Sequence, residues 1–469
     1  MDSTRSSHNT DDIYGELKEN GPTYKDLSPD KDSLDQRGCN LTAMPRRSLK
    51  WNIFSNAAAN FIKGGCHVGL VVILAKLGSK ELVGQYALGV AVAWPVFLLA
   101  DLQLRVVQAT DAQDEFLFGH YLGLRLLTAP LAFLVVLGFV WVLDYRWETA
   151  LVVGGVALSR GVDSIRDCIH GAMQKYERLD LVSLSIILHN VTSLGVFILI
   201  FYIVGYLLAA VLGQAIVGIL ILLAFDCPRV AMVLKLQHGI WRPQFDGRIL
   251  KQLVLLALPL GLVTMIISIN TNFPRYLLER YLGEGAVGIF AALSQLPLAG
   301  GIVMAALGHA TMPRMAKGFA AGNLNFTKQV GRLVSWGIIL GVILMAGAWV
   351  WGRQIILIIY GPEYAEHENL LRWLIAAGII GYITSGLGYG LNATRAYFPY
   401  LVFYTISAGL GIILGIVLIP IYGLKGAAWT VCGSNLLNCL FLGLLFMMLG
   451  RREGEKCGKN MRSFLVKRF

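Results

Sequence analysis

Long apolar segments dominate this sequence, each about 20 residues long and almost free of charged side chains. A helix of that length crosses the roughly 30 Å hydrocarbon core of a bilayer. Only 15% of the residues are charged, against about a quarter in soluble domains. The sequence therefore predicts an all-α polytopic membrane protein with about twelve transmembrane helices. The predicted spans are residues 52–75, 83–104, 120–143, 149–172, 180–203, 206–225, 251–273, 285–308, 331–352, 369–392, 398–420 and 425–449.

Polar segments divide the chain into five predicted parts. Residues 1–47 have too few large apolar side chains to form a core, which indicates a disordered tail. Residues 48–226 and 251–449 each hold six spans, and these predict an N-terminal and a C-terminal lobe. The basic segment 227–250 joins them, either as a short amphipathic helix on the inner leaflet or as an ordinary linker. Residues 450–469 form a basic tail.

Lysine and arginine are concentrated in alternate connections and in the C-terminal tail. By the positive-inside rule, this places both termini and the linker in the cytoplasm. The net charge of +11 then anchors the protein at the inner leaflet, and nucleic-acid binding is not expected. The seven cysteines show no C-x-x-C pair, so neither a disulfide framework nor a metal site is predicted.

The two halves share weak internal similarity. Six spans in each half give both halves the same orientation, which predicts a pseudo-twofold axis along the membrane normal and a site between the lobes. Leu77-Gly78 and Val83-Gly84 in the first half match Leu282-Gly283 and Val287-Gly288 in the second. Gly205, Ala209 and Ala210 likewise match Gly423, Ala427 and Ala428.

Several spans carry a polar face. Charged groups inside a bilayer cost several kcal/mol unless they face a wet cavity or a partner, so these faces indicate transport of a polar substrate. In the fourth span the polar side chains lie within an arc of about 80° around the helix axis and form a stripe along it. The members of this stripe are Arg160, Asp163, Asp167, His170 and Gln174. The first span offers Asn52, Asn56, Asn60, Lys63 and His67. The third offers Arg125, and the seventh offers Thr264, Ser268, Asn272, Arg275 and Glu279.

We interpret these faces as a cationic chamber suited to a phosphorylated substrate, since Lys and Arg bind phosphate well. The predicted substrate-binding residues are Asn52, Asn56, Asn60, Lys63, Arg125, Arg160, Asp163, Asp167, Ser268, Asn272 and Arg275. Lys63 and Arg125 are the strongest candidates because neither has an obvious local partner. Alternatively, the amides only bond neighbouring helices, Arg160 pairs with Asp163, and Arg275 reaches the membrane surface.

No catalytic residue, metal site or cofactor is predicted. The sequence has no G-x-x-x-x-G-K-[ST] phosphate loop and no H-E-x-x-H motif. No connection on the predicted outer side is long enough for a catalytic domain, the longest being about 353–368.

Short stretches along residues 48–449 resemble bacterial polysaccharide-biosynthesis flippases of the multidrug/oligosaccharidyl-lipid/polysaccharide exporter superfamily. The resemblance is carried in order by Leu77 to Leu88, Ala257 to Gly261, Asn270 to Tyr276, Val287 to Leu293, Tyr360 to Tyr364 and Tyr422 to Ala428. It lends support to Asn272 and Arg275 as site residues. It implies two six-helix lobes in a V, with no enzymatic activity.

The resemblance also implies what is transported. It implies that a polyprenyl-pyrophosphate-linked oligosaccharide crosses the bacterial inner membrane by alternating access, for surface or exopolysaccharide assembly. Membrane lipids, a glycan polymerase and chain-length machinery are the expected partners. Two alternatives stay open: an ion-coupled exporter of drugs or small solutes in the same superfamily, and a membrane-embedded glycosyltransferase or glycan ligase.

Overall fold

A computed structural model describes residues 49–111, 115–236, 242–320, 325–393 and 397–466. Every regular element in these residues is helical. The helices are α1 (Leu49–Leu77), α2 (Lys80–Asp101), α3 (Leu104–Thr110), α4 (Phe118–Val142), α5 (Trp147–Lys175), α6 (Leu179–Val204), α7 (Leu207–Ile221), a π-helix (Leu222–Asp226), α8 (Cys227–Leu236), α9 (Gly247–Leu282), α10 (Glu284–Ala320), α11 (Asn325–Ile359), α12 (Pro362–Ala365), α13 (Glu368–Ala393) and α14 (Tyr397–Val466).

Ten helical segments in the described ranges are long and apolar enough to cross a membrane. Two further spans follow from the structure. Helix α5 has 29 residues but carries too many charges to be included in the ten. The segment Tyr404–Met448 has 45 residues, enough for two crossings, and it breaks at Gly423, where φ is 59° and ψ is −129°. With these two additions the prediction of about twelve transmembrane helices is confirmed.

Local sequence fixes several helix ends. The Ser79 hydroxyl accepts a hydrogen bond from the Leu82 amide at the start of α2, and the Asp246 carboxylate accepts from two amides at the start of α9. Such side chains satisfy amide groups that have no partner in the first helical turn. Gly205 ends α6 with φ of 72°, a left-handed conformation that favours glycine. Its repeat partner Gly423 also has positive φ, so a helix break falls at both matching glycines.

The last span of the first half continues beyond its predicted end. Helix α7 runs into the π-helix and then α8, which ends at Leu236. Three apolar side chains of α8, Val230, Val233 and Leu234, are buried in the protein core. The interpretation of this segment as a helix lying on the inner leaflet is therefore wrong for residues 227–236, because their apolar face packs against the protein. The predicted tail 1–47 and linker residues 237–241 lie outside the described residues.

The other repeated stretch brings α2 and α10 into direct backbone contact. A side chain at Gly84 would overlap the Glu284 carbonyl oxygen, and one at Gly288 would overlap the Lys80 carbonyl oxygen. The Glu284 carboxylate also accepts a hydrogen bond from Gln85 at 3.0 Å and another from the Thr149 hydroxyl. The two matching Val-Gly pairs thus cross each other and join the two halves at the end of the bundle where α2 and α10 begin.

Candidate functional site

A cavity of about 530 Å³ lies among helices α1, α2, α5, α6, α7 and α10. Its volume falls within the range of roughly 300 to 1,000 Å³ that is usual for small-molecule sites. Five of these helices belong to the first half of the chain, and α10 of the second half contributes Leu298 and Ile302. The polar faces of α1 and α5 both reach this cavity, through Asn60 and Lys63 on α1 and through Arg160 and Asp163 on α5.

Lys63 is the cation that the cavity leaves free. Its side chain is exposed in the cavity, and no hydrogen bond or ion pair holds its ammonium group within the described residues. The other lining guanidinium, that of Arg160, lies 3.6 Å from the Asp101 carboxylate and 4.0 Å from the centre of the Trp94 ring. Arg160 thus shares the Asp101 carboxylate with Arg125, while the Lys63 ammonium group has no direct counterion among the described residues.

Asp163 is the carboxylate that lines this cavity, and it is already paired. The Arg166 guanidinium donates to it at 3.1 Å, and His189 Nε2 lies 3.3 Å away. The alternative in which Arg160 pairs with Asp163 is wrong, because Arg160 turns to Asp101 and Asp163 turns to Arg166. Asp163 and Arg160 are thus both held in ion pairs, and within the described residues Lys63 is the lining cation that contacts no carboxylate directly.

The rest of the α5 stripe lies in ion pairs outside the cavity lining. Arg105 of α3 bonds the Asp167 carboxylate at 3.2 Å and the Gln174 amide at 3.0 Å. His170 Nε2 lies 3.0 Å from the Ser185 hydroxyl. The stripe therefore has two uses: its first part reaches the cavity and its second part fastens α5 to neighbouring helices.

The polar face of α1 divides in the same way. Asn60, Lys63 and His67 line the cavity. Asn52, one of the predicted contacts, is buried and donates to the Glu177 carbonyl oxygen at 3.2 Å. Asn56 accepts from the Asn60 amide, through its carbonyl oxygen at 2.8 Å and its side-chain oxygen at 3.4 Å.

Arg125 lies in the interior and has no exposed surface. Its guanidinium forms an ion pair with the Asp101 carboxylate and donates to the Asp101 carbonyl oxygen at 3.1 Å. The Ser164 hydroxyl bonds the same carboxylate. Arg125 is absent from the cavity lining, and its partner Asp101 is 24 residues away in sequence.

On α9, Ser268, Asn272 and Arg275 form a connected row. The Asn272 amide donates to the Ser268 carbonyl oxygen at 2.9 Å, and its oxygen accepts from the Arg275 guanidinium at 2.8 Å. Ser268 and Asn272 are buried, whereas Arg275 is partly exposed. The Arg275 Nε atom is buried and has no partner among the described residues, and none of the three side chains is among the residues that line the cavity.

Sequence reasoning missed several charged residues that hold this region together. Asp101, Arg105, Arg166 and Asp226 all lie in or beside apolar runs. The Arg166 Nε atom donates to the fully buried Asp226 carboxylate at 2.9 Å. Asp226 ends the π-helix, an irregular element that often marks a functional site. In the sequence, the one signal of a role for Asp226 was the presence of a charged residue within an apolar run.

A family model described as "Polysaccharide biosynthesis protein" matches residues 49–319 of the chain. The capsular polysaccharide biosynthesis protein CapF of Staphylococcus aureus is 26% identical over 383 residues, which cover 80% of this chain and 94% of CapF.

Two solved structures share the fold. The lipid II flippase MurJ, in an inward closed conformation, has a TM-score of 0.65 at 15% identity and covers 85% of this chain and 90% of its own. An inward-facing multidrug resistance MATE family transporter of the MOP superfamily has a TM-score of 0.57 at 15% identity, with coverages of 85% and 95%. At these identities the likeness shows the architecture, which is that of multi-pass membrane transporters.

Proposed function

Because the chain belongs to the polysaccharide biosynthesis protein family, we propose that it is a flippase for a polyprenyl-pyrophosphate-linked oligosaccharide. It moves the headgroup from the inner to the outer leaflet by alternating access, for surface or exopolysaccharide assembly. The roles of CapF in capsular polysaccharide biosynthesis and of MurJ in lipid II flipping support this substrate class. A glycan polymerase and chain-length machinery are the proposed partners, and co-purification of either from intact membranes is the test.

The observation that carries the proposal is the ammonium group of Lys63, which faces the cavity and forms no direct ion pair among the described residues. A charge on a membrane-spanning helix is costly unless it faces water or a partner, so a cation that faces this cavity is suited to an anionic ligand. The pyrophosphate headgroup supplies that charge. In a cavity partly shielded from water, a hydrogen bond between ammonium and phosphate is stronger than one between neutral groups.

Arg275 is the second proposed headgroup contact. Asn272 fixes one arm of its guanidinium, and the Nε atom has no protein partner in the described chain. Arg275 belongs to α9 of the second half, whereas Lys63 belongs to α1 of the first. A pyrophosphate held by both would connect the two halves, which is what alternating access requires of a substrate.

The two alternatives fit the geometry less well. An ion-coupled exporter of drugs or small solutes would need a free carboxylate for a cationic substrate or coupling ion, and the Asp163 carboxylate is occupied by Arg166 and His189. A glycosyltransferase or ligase needs a catalytic domain or an acid–base cluster. The segment between α11 and α13 is short, and it buries Tyr364 and Ala365 against the core. We therefore propose a transporter without enzymatic activity.

We expect removal of the Lys63 charge to weaken headgroup binding and transport. Losing one charge-assisted contact costs about 2 kcal/mol, which is more than tenfold in affinity. Lys63→Met keeps the length of the side chain and removes the ammonium group. The measurement is movement of a fluorescent polyprenyl-pyrophosphate-linked N-acetylglucosamine between leaflets of proteoliposomes, together with its binding in detergent.

Lys76→Met is the matched control, because Lys76 is an exposed lysine in the last turn of the same helix. It should flip and bind like the unmodified protein. Arg275→Lys tests in the same assay whether the guanidinium binds phosphate through two parallel hydrogen bonds, since a lysine cannot donate such a pair. Normal binding by both Lys63→Met and Arg275→Lys would exclude these cations from the site.

We also propose that the protein lies in the bacterial inner membrane with both termini in the cytoplasm. The lysines and arginines of the segment before α9 and of the C-terminal region support this orientation. A membrane-impermeant thiol reagent added to intact cells should label Glu366→Cys and miss Arg248→Cys, two exposed positions that the proposed orientation puts on opposite sides of the membrane. The unmodified protein measures labelling of the seven native cysteines, and the reverse pattern would overturn the orientation.

A further inference from the structure

One side of the cavity is polar but uncharged. Ser159 of α5, Asn190 and Ser193 of α6, and Gln214 of α7 all line it. We call these four residues the amide–hydroxyl wall. The headgroup cations proposed above, Lys63 and Arg275, lie on other helices, so the wall has no part in the charge argument.

Helix packing places three of the four residues at a similar depth. Gly218 of α7 lies beside Val162 of α5 and His189 of α6, where an added side-chain atom would be 3.1 and 3.4 Å from them. Gln214, Ser159 and Ser193 each lie three or four residues from the member of this trio on their own helix, toward the end where α5 and α7 begin. Asn190 directly follows His189 and therefore lies less than one turn from the other three.

The wall has hydrogen-bonding capacity that the protein leaves unused. Neither the Gln214 amide nor the Ser159 hydroxyl bonds any described residue, although both lie on membrane-spanning helices. Asn190 uses one N–H on the Ile186 carbonyl oxygen at 2.7 Å, which leaves its own oxygen and a second N–H. Amides in a membrane interior are costly unless they are satisfied, so these groups are suited to water or a polar ligand.

Amides and hydroxyls both donate and accept, as do the hydroxyl and acetamido groups of a sugar. We propose that the amide–hydroxyl wall binds the sugar joined directly to the pyrophosphate, through the hydroxyl or acetamido groups of that sugar. This inference rests on the proposed function, because the phosphates bound at Lys63 bring the first sugar into the same cavity.

The test compares the affinities of two lipids in detergent: polyprenyl pyrophosphate, and the same lipid carrying one N-acetylglucosamine. The unmodified protein should bind the sugar-bearing lipid more tightly. Gln214→Met and Asn190→Leu should each reduce that preference by roughly threefold to tenfold, the value of one or two neutral hydrogen bonds. The affinity for bare polyprenyl pyrophosphate should stay unchanged. Thr192→Val is the matched control, since Thr192 lies on α6 and bonds only its own helix.

The outcomes separate this proposal from the proposed function. Equal affinity of the unmodified protein for both lipids, or a preference that both wall variants retain, overturns the wall as a sugar site. If Lys63→Met lowers the affinity for both lipids equally, the flippase proposal stands, whatever the result for the wall variants. If Lys63→Met lowers the affinity for neither lipid, the proposed function fails.

A second measurement avoids reliance on substituted amides that alter folding. Gln214→Cys, made together with Cys66→Ser because Cys66 lines the same cavity, places a thiol in the wall, and the rate at which a small maleimide modifies it reports occupancy. N-acetylglucosamine-bearing lipid should slow the modification at least several-fold more than bare polyprenyl pyrophosphate does. Equal protection by the two lipids would show that the sugar does not contact the wall, and would overturn the proposal.

Discussion

Replacing Arg125 by Met is expected to lower the free energy of unfolding by about 3 to 5 kcal/mol, the usual cost of breaking a buried ion pair. Arg125 has no exposed surface and holds the Asp101 carboxylate. Without it, that carboxylate keeps only the more distant Arg160 at 3.6 Å and the Ser164 hydroxyl. Thermal unfolding in detergent, followed by tryptophan fluorescence and by retention on size-exclusion chromatography, measures the loss.

A double substitution separates the stability effect from a role in binding. Asp101→Asn removes the charge that Arg125→Met leaves unpaired, so the double variant should be more stable than the two single losses added together. Arg353→Met, which removes an exposed arginine, should change little. If Arg125→Met keeps normal stability while headgroup binding falls as for Lys63→Met, Arg125 contacts substrate as the sequence predicts.

The contrast between Lys63 and Arg125 shows what the sequence can and cannot specify. Both are cations in apolar helices without a local partner, so periodicity treats them alike. What separates them is a tertiary contact. Arg125 meets Asp101 of another helix, whereas Lys63 meets the cavity. A helical pattern fixes which face a residue occupies, but the partner of that face depends on how the helices pack.

The apolar pattern was sufficient for the fold. Each predicted span corresponds to a helix, because a membrane leaves its backbone groups no partner except those within the helix. The prediction was weakest near residue 226. A basic, moderately apolar stretch predicts a surface helix and a linker equally well. The burial of Val230 and Val233 depends on how the helices pack, which the sequence pattern does not specify. The internal repeat did predict a structural feature. Gly84 of the first half and Gly288 of the second each lie against the backbone of the other half, at the crossing of α2 and α10.

That crossing gives the other large expected effect. Gly288→Ala should destabilise the contact between α2 and α10 by about 3 kcal/mol, the upper range for overpacking. The new methyl group would overlap the Lys80 carbonyl oxygen, which is backbone and cannot move aside as a flexible side chain does. Gly347→Ala is the matched control, because that helical glycine has nothing within 4 Å of an added side-chain atom. It should be neutral or slightly stabilising, as alanine favours helix by up to about 1 kcal/mol.

A disulfide between engineered cysteines at Lys80 and Gly285 reports whether that end of the bundle stays closed, because the Lys80 side chain lies 3.5 Å from the position of an added atom at Gly285. Oxidation should join the two cysteines efficiently in the otherwise unmodified protein. Adding Gly288→Ala should reduce that yield and lower the melting temperature, since the backbones must separate to admit the methyl group. Adding Gly347→Ala should change neither. If Gly288→Ala leaves both the disulfide yield and the melting temperature unchanged, α2 and α10 do not depend on this glycine crossing. The two halves would then be held together by other contacts, such as the hydrogen bonds of Glu284 with Gln85 and Thr149 and that of the Tyr276 hydroxyl with the Ala91 carbonyl oxygen.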